Sequence, residues 1–218
     1  MIEQNKKKEE SLSINNQRGM TRDEVEKLLT APMGDRERAY FRGLYETYFR
    51  ANELLQVNIE DYDRSAGVIV CLNPKRKYSR MTGKTISPPP KRMCVSRSEQ
   101  ILLTSIIGNR KKGPIFTNRQ GKRLSVTYLE MYIDTIATKI GIQKVSHVTE
   151  SGREYHLVTL QALREAGERH TDMSGKDPII TAKAAQHSMQ VKEEHYGKYQ
   201  WEEIQEHVKK HHPAFKDN

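Results

Sequence analysis

The sequence predicts a mostly α-helical domain that carries a small antiparallel β-sheet. Three observations lead there. Apolar residues recur at spacings of three and four along much of the chain, which lays a buried stripe along helices. A β-branched run, Val68-Ile69-Val70-Cys71-Leu72, breaks that pattern and reads as a strand. A second short run, Lys91-Arg92-Met93-Cys94-Val95, returns after a proline-rich stretch as its partner.

Taken in order, residues 1–18 are polar, lack apolar periodicity and read as a flexible basic tail. Thr21 opens the first helix, with Glu24 three residues on for a capping box, and Val25, Leu28 and Leu29 give its apolar stripe. The second helix runs from about Asp35 to Phe49 with Ala39, Tyr40, Leu44 and Tyr45 inward, and helical turns continue through 50–56. After the strand at 68–72, residues 73–90 are basic and end in three prolines, so they cannot form one regular strand. Helices follow over 98–107 and 125–140, the latter stopping at Gly141, where a glycine suits a helix end. Residues 144–158 read as a hairpin turning at Ser151-Gly152. Further helices cover 159–171, 180–187 and 201–210, with no internal repeat.

A chain of 218 residues suits one domain with a sizeable core. Lys and Arg outnumber Asp and Glu by 37 to 28, a net charge of +9. Such a domain favours polyanions, because each neutralised phosphate releases counterions, although surface charge also serves solubility. Cys71 and Cys94 lack metal-ligand spacing, and no long apolar run or signal peptide is evident. These features point to a reducing, cytoplasmic setting and no membrane. The two cysteines could face each other across a hairpin, but two small buried hydrophobes is the simpler expectation. His207 and His211 share helical spacing beside His212 without a carboxylate or cysteine frame, so no metal site and no cofactor are expected.

Three stretches carry chemistry. Arg50 stands in Tyr48-Phe49-Arg50-Ala51-Asn52-Glu53-Leu54, and Arg164 in Leu160-Gln161-Ala162-Leu163-Arg164. His187 is followed nine residues later by Tyr196. Two arginines, a lysine, a histidine and a tyrosine are what cleavage of a phosphodiester by a tyrosine nucleophile requires. These landmarks, in this order, resemble the tyrosine recombinase (phage integrase) family, from Met20 to about Tyr199. Residues 20–29 look like the opening of that family's catalytic domain. Residues 45–54 look like its first arginine box, usually Thr-Gly-x-Arg-x-Ser-Glu-Leu. Residues 113–117 resemble the linker into the next helix, and 159–164 match the second arginine box.

The resemblance implies the catalytic-domain fold of DNA breaking-rejoining enzymes over 19–200. It leaves 201–218 as a C-terminal helix and tail, with no N-terminal core-binding domain. It further implies a site-specific DNA recombinase or integrase of prokaryotic, viral or mobile-element origin. Such an enzyme works as a dimer or tetramer on double-stranded DNA through a 3'-phosphotyrosyl intermediate. Arg50 and Arg164 would clamp the non-bridging phosphate oxygens with forked, permanently charged donors. Tyr196 would be the nucleophile, with Tyr199 its rival three residues on. Lys75, where the family places a lysine in a hairpin turn, is the candidate general acid; Lys77, Lys84 and Lys91 lie in the same basic segment. Those three and Arg92 are expected to touch the DNA backbone. Glu53 would orient a basic group, and His187 would bond a phosphate oxygen or steady Tyr196.

One departure stands out. The family usually has histidine three residues before the second arginine, where this chain has Gln161. An amide can donate to phosphate but cannot act as a base, so Gln161 reads as a positioning residue. This and the missing clamp domain leave a second expectation open: a catalytically weak or inactive DNA-binding regulator that keeps the fold.

Overall fold

The computed structural model describes residues 19–72, 77–79, 83–86, 89–149, 151–152, 154–175 and 178–186. It opens with α1 (Arg22–Thr30), whose predicted capping box forms: Thr21 Oγ1 accepts from the Glu24 backbone, and the Glu24 carboxylate accepts from the Thr21 N–H at 2.9 Å. Next, α2 (Asp35–Thr47) buries Ala39, Tyr40 and Leu44 as expected. It stops before Phe49 because Tyr48 adopts a left-handed backbone, φ 56°, with its N–H still bonded to the Leu44 carbonyl. That conformation costs a side-chain-bearing residue about 1–2 kcal/mol. Packing holds it, since Tyr48 is buried and its hydroxyl hydrogen-bonds Thr171 Oγ1 at 2.7 Å. The chain therefore turns sharply, and α3 (Ala51–Gln56) starts directly from Arg50.

A 3-10 turn (Ile59–Asp61) leads into the strands: β1 (Tyr62–Asp63), β2 (Val68–Cys71), β3 (Lys77–Ser79), β4 (Lys84–Ile86) and β5 (Lys91–Cys94). One antiparallel sheet has the order β1-β2-β5, and β3-β4 is a separate ladder inside the basic, proline-ended segment. The β2–β5 register sets Cys71 opposite Lys91 and Val68 opposite Cys94. The cysteines thus lie at opposite ends of the ladder. Both are free, and Cys94 is exposed, contrary to the expectation of two buried residues.

The remainder comprises α4 (Arg97–Ile107), α5 (Val126–Lys139), the hairpin β6 (Val145–Val148) and β7 (Glu154–His156), α6 (Leu160–Met173) and α7 (Pro178–Ala185). The last ends sooner than predicted, with Gln186 left-handed at φ 57°. Helix α2 is the hub, packed on α4 and α6. Its approach to α6 is so close that a Cβ at Gly167 would collide with the Tyr45 carbonyl. Phe41, Leu44, Phe49, Leu54, Phe116 and Leu163 share the core around it. Gln186 ties the end of α7 to the Pro89 carbonyl at 2.9 Å, beside β5. Among the described residues no helix is long and apolar enough to cross a membrane.

Candidate functional site

The turn at Tyr48, the first turn of α3, the start of β5 and the first turns of α6 bring charged side chains together. Arg50 precedes α3 because its extended backbone lets Glu53 reach back: Glu53 Oε2 accepts the Arg50 backbone N–H at 2.9 Å, and Oε1 lies 3.0 Å from Arg50 Nη1. The Arg50 side chain is partly exposed, while Glu53 is buried beneath it.

Lys91 enters from β5 and donates from Nζ to Glu53 Oε2 at 2.8 Å, with the Phe49 ring centroid 5.9 Å away. It is only 2% exposed. A solvent-facing DNA contact therefore does not describe it. Burial lowers the ammonium's pKa, Glu53 opposes that, and the charges of Arg50 and Arg164 lower it further. For Glu53, burial alone would raise the carboxyl; the Lys91 hydrogen bond, the Arg50 N–H and the two cations outweigh it and hold the group at about 2.

Arg164 projects from the first turns of α6 and is also 2% exposed. Its Nε donates to the Tyr48 carbonyl at 2.7 Å, which the left-handed turn presents to it. Its Nη2 lies 2.8 Å from Glu168 Oε1, one helical turn on. Gln161 is exposed on the same helix and donates to Glu165 Oε1 at 2.7 Å.

Arg50, Lys91 and Arg164 thus converge, each within electrostatic reach of the ammonium, over two buried carboxylates. Three cations against two carboxylates leave one positive charge, the complement of one phosphodiester. Forked guanidinium donors beside a primary ammonium suit an oxyanion whose charge grows during reaction. Glu53, expected to orient a basic group, contacts both Arg50 and Lys91. Sequence reasoning missed Tyr48 and Glu168. Glu168 stands four residues after Arg164 among other charged residues, and the turn at Tyr48 left no sign.

Of the other expected residues, Arg92 is exposed on β5, and Lys77 and Lys84 fall on β3 and β4. Lys75, His187, Tyr196 and Tyr199 lie outside the described residues. So do the tail at 1–18, the helix expected at 201–210 and the histidines at 207, 211 and 212.

Residues 18–159 match the phage integrase family, a match that ends just before α6. The chain is 22% identical over 127 residues to the tyrosine recombinase XerC of Pelotomaculum thermopropionicum, covering 56% of this chain and 42% of that protein. Its fold is similar to that of the XerA recombinase, with a TM-score of 0.71 at 19% identity over 90% of this chain and 64% of the other. It is also similar to the Tn1549 transposon integrase, solved in complex with transposon right end DNA. That comparison gives a TM-score of 0.64 at 14% identity over 89% of this chain and 66% of the other. The chain spans less than two thirds of the length of each of these relatives.

Proposed function

This chain belongs to the phage integrase family, and on that premise we propose that it is a site-specific DNA strand transferase acting through Tyr196. The observation that carries the reading is the buried Glu53–Lys91 pair set between Arg50 and Arg164. Arg50 and Arg164 hold the non-bridging oxygens of the scissile phosphate. The Tyr196 oxygen attacks phosphorus, and the bond to the leaving 5' oxygen breaks. The tyrosine's proton passes to solvent water as the phosphotyrosyl bond forms, and a protonated side chain delivers a proton to the leaving oxygen and is reprotonated from solvent. Phosphodiester energy stays in the phosphotyrosyl link, so the reverse attack by a DNA hydroxyl rejoins a strand without ATP.

We assign the proton on the leaving oxygen to Lys91. That oxygen would reach Lys91 only as the scissile phosphate settles against Arg50 and Arg164, and not as a surface contact to the DNA backbone. Transfer is most efficient when the donor's pKa lies near the working pH. Burial and the two arginines move Lys91 in that direction, while Glu53 keeps it protonated. Lys75 remains the rival, and in this reading His187 bonds a phosphate oxygen or steadies Tyr196. Gln161 positions rather than deprotonates.

Double-stranded DNA is the partner that a +9 chain with this site suits, and the similar Tn1549 integrase is seen with transposon DNA. Residues 19–200 act as the catalytic domain and work as a dimer or tetramer on DNA. Trp201 and Ile204 would anchor the segment after Tyr199 on a neighbouring subunit.

A pool of nicked duplexes of random sequence tests the reading, because loss of the short leaving strand traps the covalent intermediate. An adduct that maps to Tyr196 and vanishes in Tyr196→Phe is the expected result. Binding without any adduct would overturn it in favour of the regulatory protein that Gln161 suggests.

A further inference from the structure

We propose that Glu168 is a positioning residue that orients the Arg164 guanidinium within the Arg50–Lys91–Arg164 cluster, a role that rests on the reading of that cluster as a phosphate site given above. Glu168 is 0% exposed and has no place in the strand-transfer chemistry. A carboxylate close to a phosphate site weakens anion binding by repulsion, and burying it without compensation is costly. Its presence is explained by Arg164, whose Nη2 lies 2.8 Å from Glu168 Oε1.

The second support is geometric. Arg164 Nε is held by a hydrogen bond to the Tyr48 carbonyl at 2.7 Å. Its Nη2 lies in ion-pair contact with Glu168, though not in hydrogen-bond geometry, so two elements of the fold constrain the guanidinium. Tyr48 is itself pinned to α6, because its hydroxyl bonds Thr171 Oγ1 at 2.7 Å, three residues beyond Glu168. One directional hydrogen bond and one electrostatic contact restrict the freedom of the fork. A free arginine would lose that freedom on binding phosphate; here it is lost on folding, which favours affinity. Glu53 does the same for Lys91 and Arg50. Arg164 thus has one carboxylate beneath it, and Arg50 and Lys91 share the other.

The sign of one measurement separates positioning from simple charge compensation. Inorganic phosphate is titrated into the full chain and followed by amide chemical shifts, with wild type compared to Glu168→Gln. Charge alone predicts tighter binding in the variant, because a negative group has gone. Positioning predicts weaker binding, by about tenfold, as one charge-assisted contact loses its alignment. In an Arg164→Ala background the same substitution should then change nothing further.

Glu168→Asp keeps the charge one methylene short of Arg164 and decides the matter if the glutamine variant does not fold; a several-fold loss of affinity is expected. Equal or tighter phosphate binding in a folded variant overturns the proposal and leaves the proposed function standing. So does loss of the fold in both variants, which would make the carboxylate structural. Wild-type protein that binds no phosphate, with Arg50→Ala no different, removes the phosphate site and the proposal together.

Discussion

Replacing Glu53 with glutamine removes the charge two cations share and keeps the side chain's shape. In the native protein Oε2 lies 2.8 Å from Lys91 Nζ, and Oε1 lies 3.0 Å from Arg50 Nη1. Arg50 is partly solvated, so its share of the loss is about 0–1 kcal/mol. Lys91 is buried and has no such recourse. Removing one partner of a buried ion pair costs about 3–5 kcal/mol, and the glutamine oxygen can retain one hydrogen bond, which favours about 3. The depression of the Glu53 carboxyl from 4.5 to about 2 gives a separate bound. It corresponds to about 3 kcal/mol, or roughly 2 after allowance for solvent screening.

The sign follows from the direction of that shift. A carboxylate held low in the folded state stabilises fully above its unfolded value, and this is lost as pH falls from about 4.5 through about 2. Urea unfolding of wild type and Glu53→Gln at pH 7, repeated toward pH 2.5, should show a gap of about 2–3 kcal/mol that closes in acid. A gap below about 1 kcal/mol at pH 7, or one independent of pH, would refute the buried, charge-sharing role.

Three further outcomes are expected. Burial, then repulsion from Arg169, lowers His170 to about 4, so the folded ring stays neutral while the unfolded one titrates near 6.5. Stability should therefore fall from pH 7 to pH 4.5, and thermal melts of His170→Gln should show a flatter profile. Glu99 is 0% exposed, and neither of its carboxylate oxygens has a hydrogen-bond partner among the described residues. Burial and Glu46 hold its pKa well above the ordinary value, against Arg42, so stability is lost as pH rises past about 4.5. Glu99→Gln should be more stable than wild type at pH 8 by at least about 1 kcal/mol and indistinguishable at pH 4, which paired denaturant titrations would show. Gly167→Ala should lose about 2 kcal/mol or more in chemical unfolding despite alanine's better helix propensity, because its Cβ meets the Tyr45 carbonyl. A neutral result would mean that α2 and α6 are farther apart than described.

Much of this was legible locally. The Thr21–Glu24 box, the stripe of α2, the turn at Ser151-Gly152 and both arginine boxes are signals a few residues long, and the corresponding elements formed. What escaped depends on distant partners. Lys77, Lys84 and Lys91 share one basic segment, and nothing local marks Lys91 as buried. That is set by pairing opposite Cys71 and by Glu53, 38 residues away in sequence. Glu168 sits among Glu165, Arg169 and His170 on α6, so local charge could not separate a solvated face from a buried pair. The left-handed Tyr48 has no glycine or asparagine to announce it; its hydroxyl contact with α6, far along the chain, holds it there. Strands of two or three residues, as in β1, β3 and β4, are too short to display an alternation.

Proton delivery by Lys91 from between Arg50 and Arg164 is tested most directly with sulfur in place of the bridging 5' oxygen of the trapped duplex. A thiol is far more acidic than an alcohol, so a sulfur leaving group departs without a proton. Lys91→Met should cleave ordinary DNA about 10²–10⁴-fold more slowly and recover nearly wild-type cleavage on the sulfur substrate. Arg164→Ala should stay slow on both. A Lys91→Met enzyme that sulfur does not rescue, or rescue found in Lys75→Met instead, would contradict it.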